Sequence, residues 1–451
     1  MKIYSVGYTP NRAKIENRQE QNRAKMTHSI SPESSTAKIP YHSMLANSAI
    51  TFSGASLKSL MPKTTTGVDL AELLNCALCD RPMILSEELF DIKWPSPAEP
   101  IKSYNKKLIA ILKPYKSKMH EGELAVFDTL NYLNSQYPDK TFQELLSMVR
   151  EANLEKLHAK ENKILNNLKF VTNDLPQDVS KNMRALIADS QSRIALDEEN
   201  HPFKRKIFIE RLKDVLGVPT KEEKWQASVL ELAKIDKEKA IEILGEEKLQ
   251  ASLNIGETQL MKDKKKILAL VGEKKALSLV NKAYLLPSSK DNRSAFIVKY
   301  ASKVKKYDGT WAYRTSQEIS HNLLCSSRST LDHIVEQNPE SILAPKGETI
   351  ASNLAFLCDG CNSFFKENTE LAVVAKRYPK IPKNLQKQVD SLIYYTNKGI
   401  IIDGDPYIRG YAATLEKSST KDVDLRVDIS RLDDKRTNPP SPSFNRNSIR
   451  A

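Results

Sequence analysis

No stretch of the 451 residues approaches the ~18 consecutive apolar residues of a membrane span, and the N-terminal MKIYSVGYTPNRAKIENRQEQNRAK lacks the apolar core of a secretory signal. A cytoplasmic protein without a membrane partner is therefore expected, with a secreted effector as the alternative address. Cysteine is scarce: five residues, widely spread, are too few for the disulfide framework of a small secreted domain. Aspartate is absent from residues 1–65, which are rich in Ser, Thr, Asn and Gln and show no sustained apolar periodicity. Such a chain buries too little apolar surface to offset its ordering entropy, so residues 1–65 are expected to be a disordered basic leader.

Against these absences stands an excess of positive charge. The chain carries 69 Lys+Arg against 56 Asp+Glu, a formal net charge of +13. That balance favours a polyanionic partner, DNA first with RNA left open, through counterion release and electrostatic steering. It does not by itself separate a nucleic-acid binder from a merely soluble basic protein. With 40% hydrophobic and 28% charged residues the chain has the make-up of a folded protein of two or three domains. Nothing in the composition speaks to oligomeric state.

Residues 66–99 carry the first of two CxxC pairs, Cys76 and Cys79. From 100 to 290 helical periodicity dominates. Leu124, Phe127, Leu130 and Leu133 follow a three-residue step, and Phe142, Leu145, Leu146 and Val149 follow i, i+3, i+4, i+7. This region reads as a helical bundle whose aromatic and Met positions are core; no solenoid repeat stands out in it. From 291 to 400 the texture changes. A polar, helical lead-in studded with lysines precedes two extended segments, STLDHIV and ASNLAFLC, joined by a loop bearing Pro339, Pro345 and Gly347, with a helix expected near Cys361. A further helix is expected in 401–434, and the Pro- and Ser-rich tail 435–451 reads as disordered.

The chemistry-bearing residues gather in this C-terminal third. Cys358 and Cys361 form the second CxxC pair, and two such turns can present four thiolates to one zinc ion. The separation of the pairs far exceeds the usual spacing between knuckles, so the bundle would have to be an insertion within one site. Structural or incidental thiols are the plainer alternative. Cys325 has no near partner and reads as a buried free thiol. Asp332 and His333 are consecutive on an expected strand, which points a carboxylate to one face and an imidazole to the other. That division suits a hard metal ion on the carboxylate and a free imidazole to take a proton from water. An Asp-His pair alone carries little weight; its company with Asn353, Asn362 and Lys366 carries more.

The set LDHIVEQ followed by SNLAFLCDGCNSFFK resembles the HNH endonuclease family. The resemblance covers about 40 residues and implies a ββα-metal finger, a two-stranded hairpin and a helix around one catalytic ion, braced by a four-cysteine zinc clip. It makes His333 the general base and Asp332 a ligand of the catalytic metal. Asn353 would support the hairpin loop, and Asn362 would complete the metal site where the family has His or Asn. Cys76, Cys79, Cys358 and Cys361 would hold Zn²⁺. With Asn rather than His at the third position, the catalytic site should prefer Mg²⁺ or Mn²⁺. The expected fold is thus mainly α, with a large helical bundle inserted in or preceding a small α+β HNH module, and the expected activity is metal-dependent hydrolysis of DNA phosphodiesters. A zinc-clip scaffold without catalysis, binding nucleic acid or protein, is the alternative.

Phosphate contacts are expected on both flanks of the motif, from Lys303, Lys305, Lys306 and Arg328 before it and from Lys366, Lys376, Arg377 and Lys380 within and after it. For any single one of these cations a solvated surface position is the plainer reading.

Overall fold

The computed structural model describes residues 57–196, 204–287, 292–337, 340–344, 346–365 and 371–433. Residues 1–56, the tail from 434 and Lys366 lie outside the described residues, as do Pro339 and Pro345.

Two short helices, α1 (Leu70–Leu73) and α2 (Ser86–Phe90), lie on either side of the first CxxC turn. The long helices follow: α3 (Ile101–Leu112), α4 (Glu121–Gln136) and α5 (Phe142–Val171). Helix α5 begins where the sequence dictates. The Thr141 hydroxyl accepts from the Glu144 N–H, and the Glu144 carboxylate accepts from the Thr141 N–H. Its 30 residues span roughly 45 Å at 1.5 Å per residue, enough to serve two separate cores. After it come α6 (Gln177–Leu196), α7 (Arg205–Val215), α8 (Lys221–Ile235), α9 (Lys237–Leu244), α10 (Glu246–Ile255), α11 (Gln259–Val271) and α12 (Glu273–Ala283).

The lead-in expected to be helical is two helices, α13 (Arg293–Ala301) and α14 (Ser316–Cys325), separated by a small antiparallel hairpin of β1 (Val304–Lys305) and β2 (Trp311–Ala312). Then β3 (Ser329–His333) pairs antiparallel with β4 (Leu354–Cys358), with Asp332 opposite Ala355 and His333 opposite Leu354. Helix α15 (Asp359–Phe365) follows at once, then α16 (Leu371–Arg377), α17 (Ile381–Asn397) and α18 (Gly404–Lys417). The fold is mainly α with two small antiparallel sheets, and strand, loop, strand and helix occur in the expected order. No described helix is long and apolar enough to cross a membrane.

The helical region does not share one core. The first cluster joins α3, α4, the start of α5, α13 and α14 through Leu108, Phe127, Leu130, Phe142, Phe296 and Ile319. The expected stripes point into it, with Leu124 and Val149 at its margin. A second cluster joins the far half of α5 to α6, α7 and α12. The third is small: Val229 and Leu232 of α8, Ala240 of α9, Leu249 of α10, and Ile342 from the loop between β3 and β4.

One short stretch recurs in this region, once only, so the expectation of no solenoid array stands. EEKWQAS (222–228) recurs as EEKLQAS (246–252), each starting in the first turn of a helix, and the turns Gly245-Glu246 and Gly272-Glu273 both join two helices directly. Gly245 at φ +79° and Gly272 at φ +83° occupy backbone that a Cβ would strain, so glycine is required for so abrupt a turn.

The hairpin β3–β4 sits in a fourth core made by both ends of the described chain. Leu70, Leu74 and Met83 pack with Leu354, Phe356, Leu385, Leu392, Ile408 and Tyr411. Residues up to 65 that the structure describes belong to this core: Met61 is buried, and the Thr65 N–H donates to Ile400 C=O at 2.8 Å. A buried polar chain ties these pieces together. Tyr411 OH donates to Gln388 Oε1 at 3.0 Å, and Gln388 Nε2 donates to the carbonyls of Asn75 at 2.7 Å and Phe356 at 3.2 Å.

Candidate metal centres and hairpin site

The two CxxC turns meet across the whole helical insertion. The Ala77 N–H donates to Phe356 C=O at 3.0 Å, laying the first knuckle against β4. Beyond it Ile84 runs beside β3, its N–H on Ser327 C=O at 2.9 Å and its carbonyl accepting from Ser329 N–H at 2.7 Å. These main-chain bonds place Cys76, Cys79, Cys358 and Cys361 with their sulfurs within 4.8 Å of one another. All four are free thiols; Cys76, Cys358 and Cys361 are buried and Cys79 is half-buried. Asp80, at φ +56°, closes the first turn.

Four thiols at this spacing suit a cation. Hydrogen bonding to Cys358, Cys76 and Cys79, together with burial, pushes the Cys361 thiol well above its ordinary value. A divalent ion would relieve the mutual repulsion of the thiolates, and four sulfurs are the donor set of a closed structural zinc site. The four cysteines are therefore positioned to hold a metal ion, as the two CxxC pairs imply. Cys325 stands apart, half-buried rather than buried, with its thiol pushed up to about 11 by burial.

A residue that carries no spacing signal lies against this cluster. His120, at the N-cap of α4, brings Nε2 to 3.2 Å from Cys358 Sγ, 3.6 Å from Cys79 Sγ and 3.9 Å from Cys361 Sγ. Its Nδ1 lies 3.8 Å from Oε2 of Glu123, a buried carboxylate. Burial works against the charged imidazole, yet the hydrogen bond to Cys79 and the charges of Cys79 and Glu123 outweigh it and raise its pKa. In the sequence His120 is visible only as a residue before an apolar stripe, 41 positions from Cys79 and with no motif linking them.

The hairpin gathers the other expected site residues. Asn353 is buried and braces the loop from both sides: Oδ1 accepts from Val335 N–H at 2.8 Å, and Nδ2 donates to the carbonyls of Val335 at 3.1 Å and Glu348 at 2.9 Å. Asn362, on the first turns of α15, donates from Nδ2 to Thr330 Oγ1 at 3.0 Å. Its Oδ1 is buried without a hydrogen-bond partner among the described residues. Thr330 and Asp332 are two apart on β3 and share a face, so Asn362 is tied through Thr330 to the face that carries Asp332, whose Oδ1 accepts from the His333 N–H at 3.0 Å. An acceptor-only pair of oxygens fits a hard divalent cation better than zinc. His333 ends β3 half-exposed, with Nε2 3.2 Å from Thr349 Oγ1, and Gln337 Nε2 donates to that hydroxyl oxygen at 2.6 Å.

The expected phosphate contacts are more compensated than their sequence suggests. Lys306 pairs with Glu318 at 2.7 Å, Arg328 lies 3.6 Å from Asp359, and Lys376 pairs with Asp422. The run from Lys376 to Lys387 holds no acid, yet folding brings Asp422 to Lys376 and Asp80 to Lys387. Lys303 lies over the Tyr313 ring at 5.4 Å and Arg377 over Tyr284 at 3.7 Å. Lys305 and Lys380 are exposed.

Compared with profiles of known protein families, with curated proteins and with solved structures, the chain matches none.

Proposed function

We propose that the chain is a metal-dependent endonuclease of the HNH type, with DNA as substrate. The observation that carries this reading is the unpaired, buried Oδ1 of Asn362, a side chain tied through Thr330 to the Asp332 face of a strand that ends in His333. Leaving a buried carbonyl unmatched costs about 1–3 kcal/mol, which a bound cation would offset. Asp332 and Asn362 would hold a Mg²⁺ or Mn²⁺ ion. When bound, such an ion neutralises the phosphodiester and the departing oxygen.

The chain's own residues have separable tasks. His333 is the imidazole that would accept the proton of an attacking water. Thr349 contacts its Nε2 and sets the ring's orientation. Asn353 holds the start and end of the loop together, and the cysteine cluster anchors the end of β4 and the start of α15, hence Asn362. Of the cations expected to meet phosphate, Lys305 and Lys380 are exposed and would do so.

The test is incubation of purified protein with supercoiled plasmid, single-stranded DNA and RNA in Mg²⁺, Mn²⁺ or EDTA, alongside His333→Ala. Metal-dependent nicking that the substitution abolishes is expected. Absence of nicking, or nicking indifferent to His333, would overturn the enzymatic reading, and cleavage confined to RNA would overturn the substrate.

A further inference from the structure

We propose that His120 donates a hydrogen bond from Nε2 to the metal-binding thiolates, so that the helical insertion forms part of the zinc centre. The inference rests on the zinc reading of the cysteine cluster and is independent of the nuclease reading.

The four sulfurs, all within 4.8 Å of one another, already supply the full coordination number of structural zinc. The imidazole is thus not needed as a ligand. It lies outside the cluster, with Nε2 3.2, 3.6 and 3.9 Å from the sulfurs of Cys358, Cys79 and Cys361, within N–H···S reach of the first two. Four thiolates on a divalent ion leave a net charge of about −2 in a largely buried place, which outer hydrogen-bond donors stabilise. One such donor is the backbone: Cys361 N–H points to Cys358 Sγ at 3.4 Å. His120 is the side chain that adds to it.

The ring is held in place from two sides. A Cβ added at Gly360 would come within 3.0 Å of His120 Cε1 and 3.3 Å of Nδ1, so the second knuckle lies flush against the imidazole. On its other side, Nδ1 faces Glu123, whose Oε2 is buried without a hydrogen-bond partner among the described residues. With a carboxylate facing Nδ1, donation from Nε2 as well requires the imidazolium, whose two N–H groups then divide between Glu123 and the sulfurs. Because His120 opens α4, and α4 packs into the first helical cluster, displacement of that cluster would withdraw the donor from the metal centre.

The experiment compares full-length zinc-loaded wild type, His120→Phe, which keeps a ring without a donor, and His120→Gln, which keeps an N–H. Zinc content is measured first, then the rate of release to a chromophoric chelator, then the thiolate-to-metal absorption of the Co²⁺-substituted proteins. About one zinc per chain in all three, release roughly 10-fold or more faster in His120→Phe, a rate near wild type in His120→Gln, and unchanged cobalt bands are expected. Equal release from His120→Phe and wild type overturns the proposal. So does equally fast release from both variants, which would mean packing alone, or altered cobalt bands, which would make His120 a ligand. Should His120→Phe not fold, His120→Ala is judged by the same criteria. A wild type without zinc would instead sink the clip reading beneath it.

Discussion

Asn362 donates from Nδ2 to Thr330 Oγ1 across 3.0 Å, while its Oδ1, in the same buried setting, accepts from nothing among the described residues. A side chain held by one end and unmatched at the other is oriented for something else. Replacing it with Ala removes the unmatched oxygen, so thermal stability should change by only ~1 kcal/mol. Plasmid nicking should fall by ~100-fold or more, as for loss of a group that stabilises developing charge. Asn362→His should retain Mn²⁺-dependent nicking. Melting curves and nicking rates for the two variants check this; an Ala variant as active as wild type refutes the role.

The loop between β3 and β4 is gripped by helix α8. Ile342 is 7% exposed in the third helical cluster, and its N–H donates to Ser228 Oγ at 2.9 Å. Two ion pairs flank it, Lys221 with Glu336 at 2.5 Å and Lys224 with Glu340 at 2.6 Å. Partly exposed pairs contribute at most ~1 kcal/mol each, whereas truncating a buried Ile costs about 2–5 kcal/mol. Ile342→Ala should therefore lower the urea midpoint and speed proteolytic cleavage within 334–353, and the double variant Lys221→Ala, Lys224→Ala should do so far less. Equal effects from both would show that the ion pairs, not the buried side chain, hold the loop.

Removing the metal should loosen the hairpin more than the helices. The cluster joins the first knuckle to the end of β4 and the start of α15, while the helical clusters pack without it. The double variant Cys76→Ser, Cys79→Ser should lose its bound zinc, as detected by metal analysis, with accelerated amide exchange in β4 and α15. Exchange in α6 and α7 should stay at its wild-type rate. A variant that keeps one zinc per chain contradicts the four-cysteine site.

Glu318 links stability to pH. Burial by itself raises its carboxyl pKa, but the Lys306 ammonium and the Thr315 N–H, at 2.7 Å each, outweigh that and leave it lowered. A folded pKa below the unfolded value of ~4.3 means stability fully present above that value and lost as pH falls through the folded one. Urea midpoints measured from neutral pH downward should therefore drop less steeply in Glu318→Gln, which starts from a lower midpoint because the capping box and the Lys306 pair are weakened. Parallel curves for the two proteins would exclude this contribution.

Much of the scaffold was legible because it is written in local periodicity. Phe142, Leu145 and Leu146 had to share a helical face, and STLDH and LAFLC had to be extended. The β1–β2 hairpin was missed because two-residue strands offer no alternation to read. The compensation of Lys306 and Lys376 was missed because their partners come from other elements, Glu318 on α14 and Asp422 beyond α18.

The sequence by itself determined which groups are available: two CxxC turns, an Asp-His pair ending a strand, and two asparagines nine residues apart. Backbone chemistry and side-chain spacing act over a few residues, so these could be recognised without the fold. Tertiary structure alone decided that Cys76 and Cys79 reach Cys358 and Cys361 across the helical insertion. It also decided that His120 faces their sulfurs, and that Asn362 keeps one oxygen unpaired. Each of those outcomes depends on packing between segments far apart in the chain, where closing a long loop costs only slowly growing entropy and leaves no mark on local sequence.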